Sequence, residues 1–290
     1  MPGNEYDYAG SVYVLDNEER LLGMAHMARL LAAHPDQTML EAARTRFPEV
    51  YPDTDQEQAA SLAISQGLTA VPVIDGERRL VGVIPPDAMF EVLRHEHVED
   101  LHRLAGIHRE ATRARNAMEA PPMRRTRDRL PWLLVGLGGS MIATLVMSWF
   151  EAALQSRLAI AFFVPAIVYL ADAIGTQTEA IAVRGLSLSN TPIQNLIGSE
   201  LRTGLLIGLA LGTLTIPFSL LMFHDLDLAV TVALSLVTAG AAATTIGLGL
   251  PWLLKRMGKD PAFGSGPIAT IIQDVLSLLI YFSIATMLVV

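Results

Sequence analysis

The chain contains no cysteine, which excludes disulfides and thiolate metal sites together. Charge is scarce as well: 17% of the 290 residues are Asp, Glu, Lys or Arg, against 51% hydrophobic. A mean hydropathy of +0.40 is too apolar for an ordinary soluble protein and describes a membrane protein. The opening run MPGNEYDYAG has neither the basic start nor the apolar stretch of a signal peptide, so the N-terminus is expected to stay in the cytoplasm. Positive charge is missing where nucleic acid would need it. Residues 1–100 hold 18 acids against 7 Arg, whereas residues 101–130 hold 3 acids against 8 Arg. An acidic domain that runs into a basic segment favours metal cations over nucleic acid as partners.

What is there begins with a repeat. Val14-Leu15-Asp16-Asn17-Glu18-Glu19-Arg20-Leu21-Leu22-Gly23 aligns without gaps, at an offset of 59, on Val73-Ile74-Asp75-Gly76-Glu77-Arg78-Arg79-Leu80-Val81-Gly82. Each copy is an apolar strand, a polar turn and a second apolar strand, followed by a helical pattern at 24–33 and 86–95. Before the second copy, 54–67 reads as a helix with Thr54 as N-cap and Glu57 as its capping-box partner. Only a short, largely polar stretch precedes the first copy, so the first repeat is expected to lack its leading helix. The pattern resembles a tandem CBS-domain pair over roughly 11–104, a small α/β regulatory module. Nucleotide-binding CBS modules carry a Ser or Thr and then an Asp after the strand glycine. The matching positions are His26 and Arg29 in one copy, Pro85 and Ala88 in the other, so tight ATP binding is not expected.

After the second repeat, Glu96, Glu99 and Asp100 share one helical face at i, i+3 and i+4. Such acids repel unless neutralised, either as a solvated face offset by Arg94 and Arg103 or by a divalent cation. A basic connector follows, broken by Pro121 and Pro122, and Arg124, Arg125, Arg127 and Arg129 stand at the membrane edge.

Five spans are expected, at 131–150, 158–183, 196–223, 228–254 and 266–290. Arg184 and Arg202 flank the second loop and Lys255, Arg256 and Lys259 fill the fourth, which puts the N-terminus and even-numbered loops in the cytoplasm and the C-terminus outside. Span two carries Asp172, Gly175, Thr176 and Glu179 on one face; span five carries one ionisable residue, Asp274. A carboxylate in hydrocarbon costs roughly 3 kcal/mol or more and therefore faces a bundle interior, a water path or an ion. A buried contact that fastens helices and a cation pathway both satisfy that requirement. Spans three and four look like scaffold, with Gly204, Gly208 and Gly212, then Ala239, Ala243 and Gly247, at four-residue spacing.

FFVP, GTQ and VRGL in span two, with DPA, SGP and then Asp274 in and before span five, resemble the MgtE family of magnesium channels and transporters. The resemblance reaches from the CBS pair to the C-terminus. It implies an α/β tandem CBS module (1–104), a connecting helix (about 106–118) within a linker (105–130), and an all-α five-helix membrane domain (131–290). It implies a homodimer in the plasma membrane that transports Mg2+ and no enzyme activity. Asp274 takes the place of the family's pore carboxylate, with Asp172 and Glu179 as further pore acids and Pro165, Gly175, Thr176, Gln177, Pro267 and Thr270 lining the path. Glu96, Glu99 and Asp100 take the place of the regulatory metal site. Three departures bear on selectivity and gating: Ala171-Asp172-Ala173 stands where the family has GGN, Glu179 replaces an apolar or small residue, and the family's acidic N-terminal helical domain has no counterpart.

Mg2+ sheds its waters reluctantly, so two symmetry-related Asp274 carboxylates would hold it through its hydration shell. A proton- or sodium-coupled carrier using Asp172 and Glu179 is the alternative. An intramembrane aspartyl protease with an Asp172 and Asp274 dyad is a distant third, without that family's Tyr-Asp and Gly-x-Gly-Asp surroundings.

Overall fold

Two hairpins of the same build organise the first unit of the chain, Met1–Val98. The computed structural model describes residues 10–107, 119–188, 193–263 and 265–289. Strand β1 (Ser11–Leu15) pairs antiparallel with β2 (Leu21–His26), and β3 (Val71–Ile74) with β4 (Leu80–Ile84), each with a register shift one residue before the turn. The 59-residue repeat reproduces the turn atom for atom. Asp16 Oδ1 accepts from the N–H groups of Glu18 (2.8 Å) and Arg20 (2.9 Å), and Asp75 Oδ1 from those of Glu77 and Arg79 (both 2.9 Å). Glu19 and Arg78 both sit at φ 62°, the left-handed conformation that closes the turn. The turns then exchange backbone bonds: Leu21 N–H donates to Arg78 O (2.9 Å) and Leu80 N–H to Glu19 O (3.1 Å).

Several local expectations are corrected. The first post-hairpin helix does not begin at 24, because Met24, Ala25 and His26 are taken by the β1 ladder; helix α1 is only Met27–Leu31. A short helix α2 (Met39–Ala42) carries the capping box, with Thr38 and Glu41 bonding reciprocally. At helix α3 (Gln56–Gln66), Thr54 is not the cap: Asp55 accepts from Glu57 and Gln58, and the Thr54 hydroxyl accepts instead from Tyr51 N–H (3.0 Å). A carboxylate one residue nearer the helix displaces a hydroxyl. Val50 adds a parallel bridge to Val73, and Val50, Ala59, Ala63, Val71 and Met89 form a small core. Helix α4 (Pro86–Leu104) fuses the second post-hairpin helix with the acidic one into a single element.

The second unit, Glu99–Val290, is helical. Its helices are α5 (Pro122–Trp149), the short α6 (Glu151–Ser156), α7 (Ala159–Leu188), α8 (Ile193–Phe223), α9 (Leu226–Arg256) and α10 (Ser265–Leu288). Among the described residues five helices, all but α6, are long and apolar enough to cross a membrane. The first begins nine residues earlier than expected, with Pro122 at its first turn, where the missing N–H costs nothing, so the arginines at 124–129 are helical. The connecting helix expected at about 106–118 lies almost wholly outside the described residues.

Ion pairs sort the loops by end. Arg157 pairs with Asp225 (2.5 Å), joining the first and third loops. Lys255 Nζ donates to Leu186 O (2.5 Å), joining the ends of α7 and α9 at the opposite pole. Near the first pole the bundle is packed with apolar groups: Phe150 stacks on Phe282 (5.2 Å), and the fully buried Tyr281 donates its hydroxyl to Ile160 O (2.8 Å). Helices α8 and α9 touch backbone to backbone. A Cβ on Gly208 would stand 2.6 Å from Val237 Cα, and one on Gly212 2.8 Å from Ala233 O.

Candidate cation pathway

The carboxylates within the bundle and the buried Gln273 amide collect nearer the other pole, whereas Ser219, Thr231 and Ser235 are buried toward the first. Helical spacing places Asp172, Gly175, Thr176 and Glu179 along one face of α7. Gly175 is where three helices meet. A Cβ on Gly247 of α9 would stand 2.5 Å from its carbonyl oxygen, and the space that its own side chain would fill is taken by the Gln273 amide of α10. Only glycine permits that wedge.

Beside this junction lies a cavity of about 660 Å³ whose wall includes Thr176 and Glu179 of α7 and Pro267, Thr270 and Asp274 of α10. Trp132 and Arg129 of α5 contribute to it, as do residues 104–107 following α4. That segment presses on the start of α10: Gly106, at φ 68°, has room for a Cβ only 2.8 Å from Pro267 Cγ, and Leu104 O packs on Gly266. Of the other residues expected to line a path, Pro165 and Gln177 are exposed on α7 away from the cavity.

Among the described residues no Lys, Arg or His forms an ion pair with Asp172, Glu179 or Asp274. Asp172 lies within electrostatic range of both Glu179 and Asp274. Asp172 Oδ1 and both polar atoms of Gln273 are buried without a hydrogen-bond partner, and Glu179 has only the buried Ser265 hydroxyl beside it. Among the described residues no three of His, Asp and Glu gather closely enough to hold an ion through their own atoms. The buried carboxylates of this unit therefore stand apart from one another rather than in one cluster.

Glu96, Glu99 and Asp100 go to separate partners. Glu96 Oε1 accepts from Gln56 Nε2 (2.6 Å), Glu99 pairs with Arg103, and Asp100 lies 3.6 Å from Arg184. Arg103 also pairs with Asp260 in the fourth loop. Sequence reading missed this link and Gln273. The amide left a signal, a lone polar group beside Asp274 in an apolar span; the pair from Arg103, across 157 residues, left none.

A paired-hairpin module and five helices long and apolar enough to cross a membrane, beside an acid-walled cavity, describe a polytopic membrane protein. Residues 164–284 match the MgtE family model, described as a divalent cation transporter, and residues 30–95 match the CBS domain. Over residues 164–284 the helical unit is thus similar to an MgtE domain. The magnesium transporter MgtE of Thermus thermophilus is 33% identical over 280 residues, 96% of this chain and 61% of that protein. Its namesake from Bacillus subtilis is 32% identical over 278 residues, 95% of this chain and 60% of that protein. The chain therefore spans about 60% of the length of these relatives. Among solved structures, the cytosolic domain of the Mg2+ channel MgtE in complex with ATP is 34% identical over 30% of this chain and 35% of that one, with a TM-score of 0.29.

Proposed function

We infer that the protein carries magnesium across the membrane and that Asp274 is the carboxylate that receives the hydrated ion. The observation that carries this reading is the cavity between α7 and α10, where Asp274 and Glu179 share a wall with Thr176 and Thr270 and where, among the described residues, no base is ion-paired with either acid. The names of the relatives agree with it. A fixed negative charge at the wall attracts a dication and excludes anions, while outer-shell contact leaves it weakly enough held to be released. Association as a homodimer would bring two copies of Asp274 to one axis and double the field.

The pole at which Arg184, Lys255 and Arg256 collect is assigned to the cytoplasm by the positive-inside rule. Glu96, Glu99 and Asp100 then act as a cytoplasmic magnesium sensor: the ion competes with Arg103 and Arg184 for the two acids nearest the bundle. Protection of the connector from protease that rises with millimolar Mg2+ would support sensing; protection that ignores Mg2+ would remove it. ATP is no part of this reading, and micromolar affinity in calorimetry would reverse that.

The test of transport is Mg2+ flux into proteoliposomes, for the intact chain and for Asp274→Ala, with and without pH or sodium gradients. Flux abolished by the substitution and indifferent to the gradients supports a channel with Asp274 in its path. Flux that survives it, or follows a gradient, transfers the role to Asp172 and Glu179 in a coupled carrier.

A further inference from the structure

Beside Asp274 the structure holds a buried amide, Gln273, that the transport reading does not use, set between two carboxylates to which that reading gave no separate ion position. Asp172 and Glu179 stand seven residues apart on α7, and Gly175 lies between them on the same face. The Gln273 amide, from α10, fills the space over Gly175. This places a carboxylate, an amide and a carboxylate in succession along about 10 Å of helix. Glu179 and Gln273 are each only 2% exposed. Asp172 Oδ1, Gln273 Oε1 and Glu179 Oε1 are all buried; neither Asp172 Oδ1 nor Gln273 Oε1 has a hydrogen-bond partner, and Glu179 has only the buried Ser265 hydroxyl beside it. A single orphaned buried polar group costs roughly 1–3 kcal/mol, and such groups in a row on facing helices form a pattern that structural fastening does not explain. Fastening would have paired the amide N–H with one of the carboxylates.

We propose that Asp172, Gln273 and Glu179 form a second divalent-cation position, distinct from Asp274, in which the Gln273 carbonyl and the flanking carboxylates contact the ion or its remaining water. A hard dication takes oxygen ligands of this kind, and the amide carbonyl supplies a neutral one between two charges. Glu179 also faces the cavity, so it connects this position with the one at Asp274. Two adjacent positions let an arriving ion repel the one ahead, which reconciles charge selectivity with release. The proposal rests on the reading above only in that the cavity admits a divalent cation.

The experiment titrates the full chain in detergent with Mn2+ alone, counting bound metal by electron paramagnetic resonance. Intact protein, Glu179→Gln, Gln273→Leu and Asp274→Ala are compared, with thermal melting of each. Glu179→Gln is expected to lose one bound Mn2+ per chain, and Gln273→Leu to weaken the same step about tenfold or more. Asp274→Ala is expected to keep that step while abolishing flux. Isotherms for Glu179→Gln and Gln273→Leu that match the intact protein overturn the proposal. So does loss of the same ion in Asp274→Ala, which would merge the two positions into one. Should Glu179→Gln not fold, Gln273→Leu, which adds no charge and removes two of the unpaired polar atoms, decides alone: unchanged Mn2+ binding with a raised melting temperature makes the amide merely structural. Failure of transport through Asp274 shows in flux and leaves the binding count unaffected.

Discussion

Asp75 keeps a tight turn closed with one oxygen, and its ionisation follows from that. The N–H of Arg79, and after it that of Glu77, hold the carboxyl below the usual 3.8 of an aspartate; Asp16 is held down in the same way by the N–H of Arg20 and then Glu18. A lowered folded value means stability fully present above the ordinary value and lost as pH falls below it through the folded one. The protection factor for hydrogen exchange at Glu77 and Arg79, corrected for the intrinsic rate at each pH, is therefore expected to fall as the solution is acidified through that window. Asp75→Ala should show the lower protection already at neutral pH and lose the acid dependence. Glu19 presents a different residue-level case, since a left-handed side chain pays about 1 kcal/mol that glycine does not. Glu19→Gly is expected to slow exchange at Leu80, whose N–H bonds to Glu19 O.

At the scale of elements, two glycine contacts separate scaffold from moving part. Helices α8 and α9 meet through Gly208, so Gly208→Leu has no rotamer that avoids Val237 backbone and is expected to cost about 1–3 kcal/mol, read as a lower melting temperature in detergent. Gly106 differs because its neighbours are the Pro267 and Trp132 side chains at the cavity. Gly106→Ala is expected to dislodge 104–107 and to raise Mg2+ flux without comparable loss of melting temperature; flux at or below that of the intact chain would contradict the idea that this segment restrains the path. Much of this was legible beforehand because period is a local property. The stripe from Asp172 to Glu179 and the Gly-x-x-x-Gly series are readable from helical spacing alone. Thr54 and Asp55 show the limit, since two adjacent residues can both cap and the choice depends on Tyr51, which competes for the hydroxyl.

Over the whole molecule, charge is concentrated at surfaces whose partners sequence order conceals. The segment 99–104 brings Glu99, Asp100 and Arg103 to Arg184 and Asp260 at one pole of the bundle, although Arg103 and Asp260 are 157 residues apart. Asp100 Oδ2 is buried, so its pairing is screened by salt less than an exposed pair would be. Replacing Arg184 with Gln is expected to lower the melting temperature of the full chain by an amount that persists at high salt. A difference that vanishes in salt would place this pair with ordinary surface contacts.

The spacing of oxygens along α7 has an electrical meaning. From Glu179 to Asp172 is about 10 Å along the helix axis, roughly a third of a ~30 Å hydrocarbon layer. If the membrane field falls evenly across that layer, a doubly charged ion moving between the two changes its energy by about 1.6 kcal/mol per 100 mV. The single ion of this position would then lean toward one carboxylate or the other by roughly fifteenfold per 100 mV. The helix itself would act as the voltmeter, with no charged residue of the protein having to move.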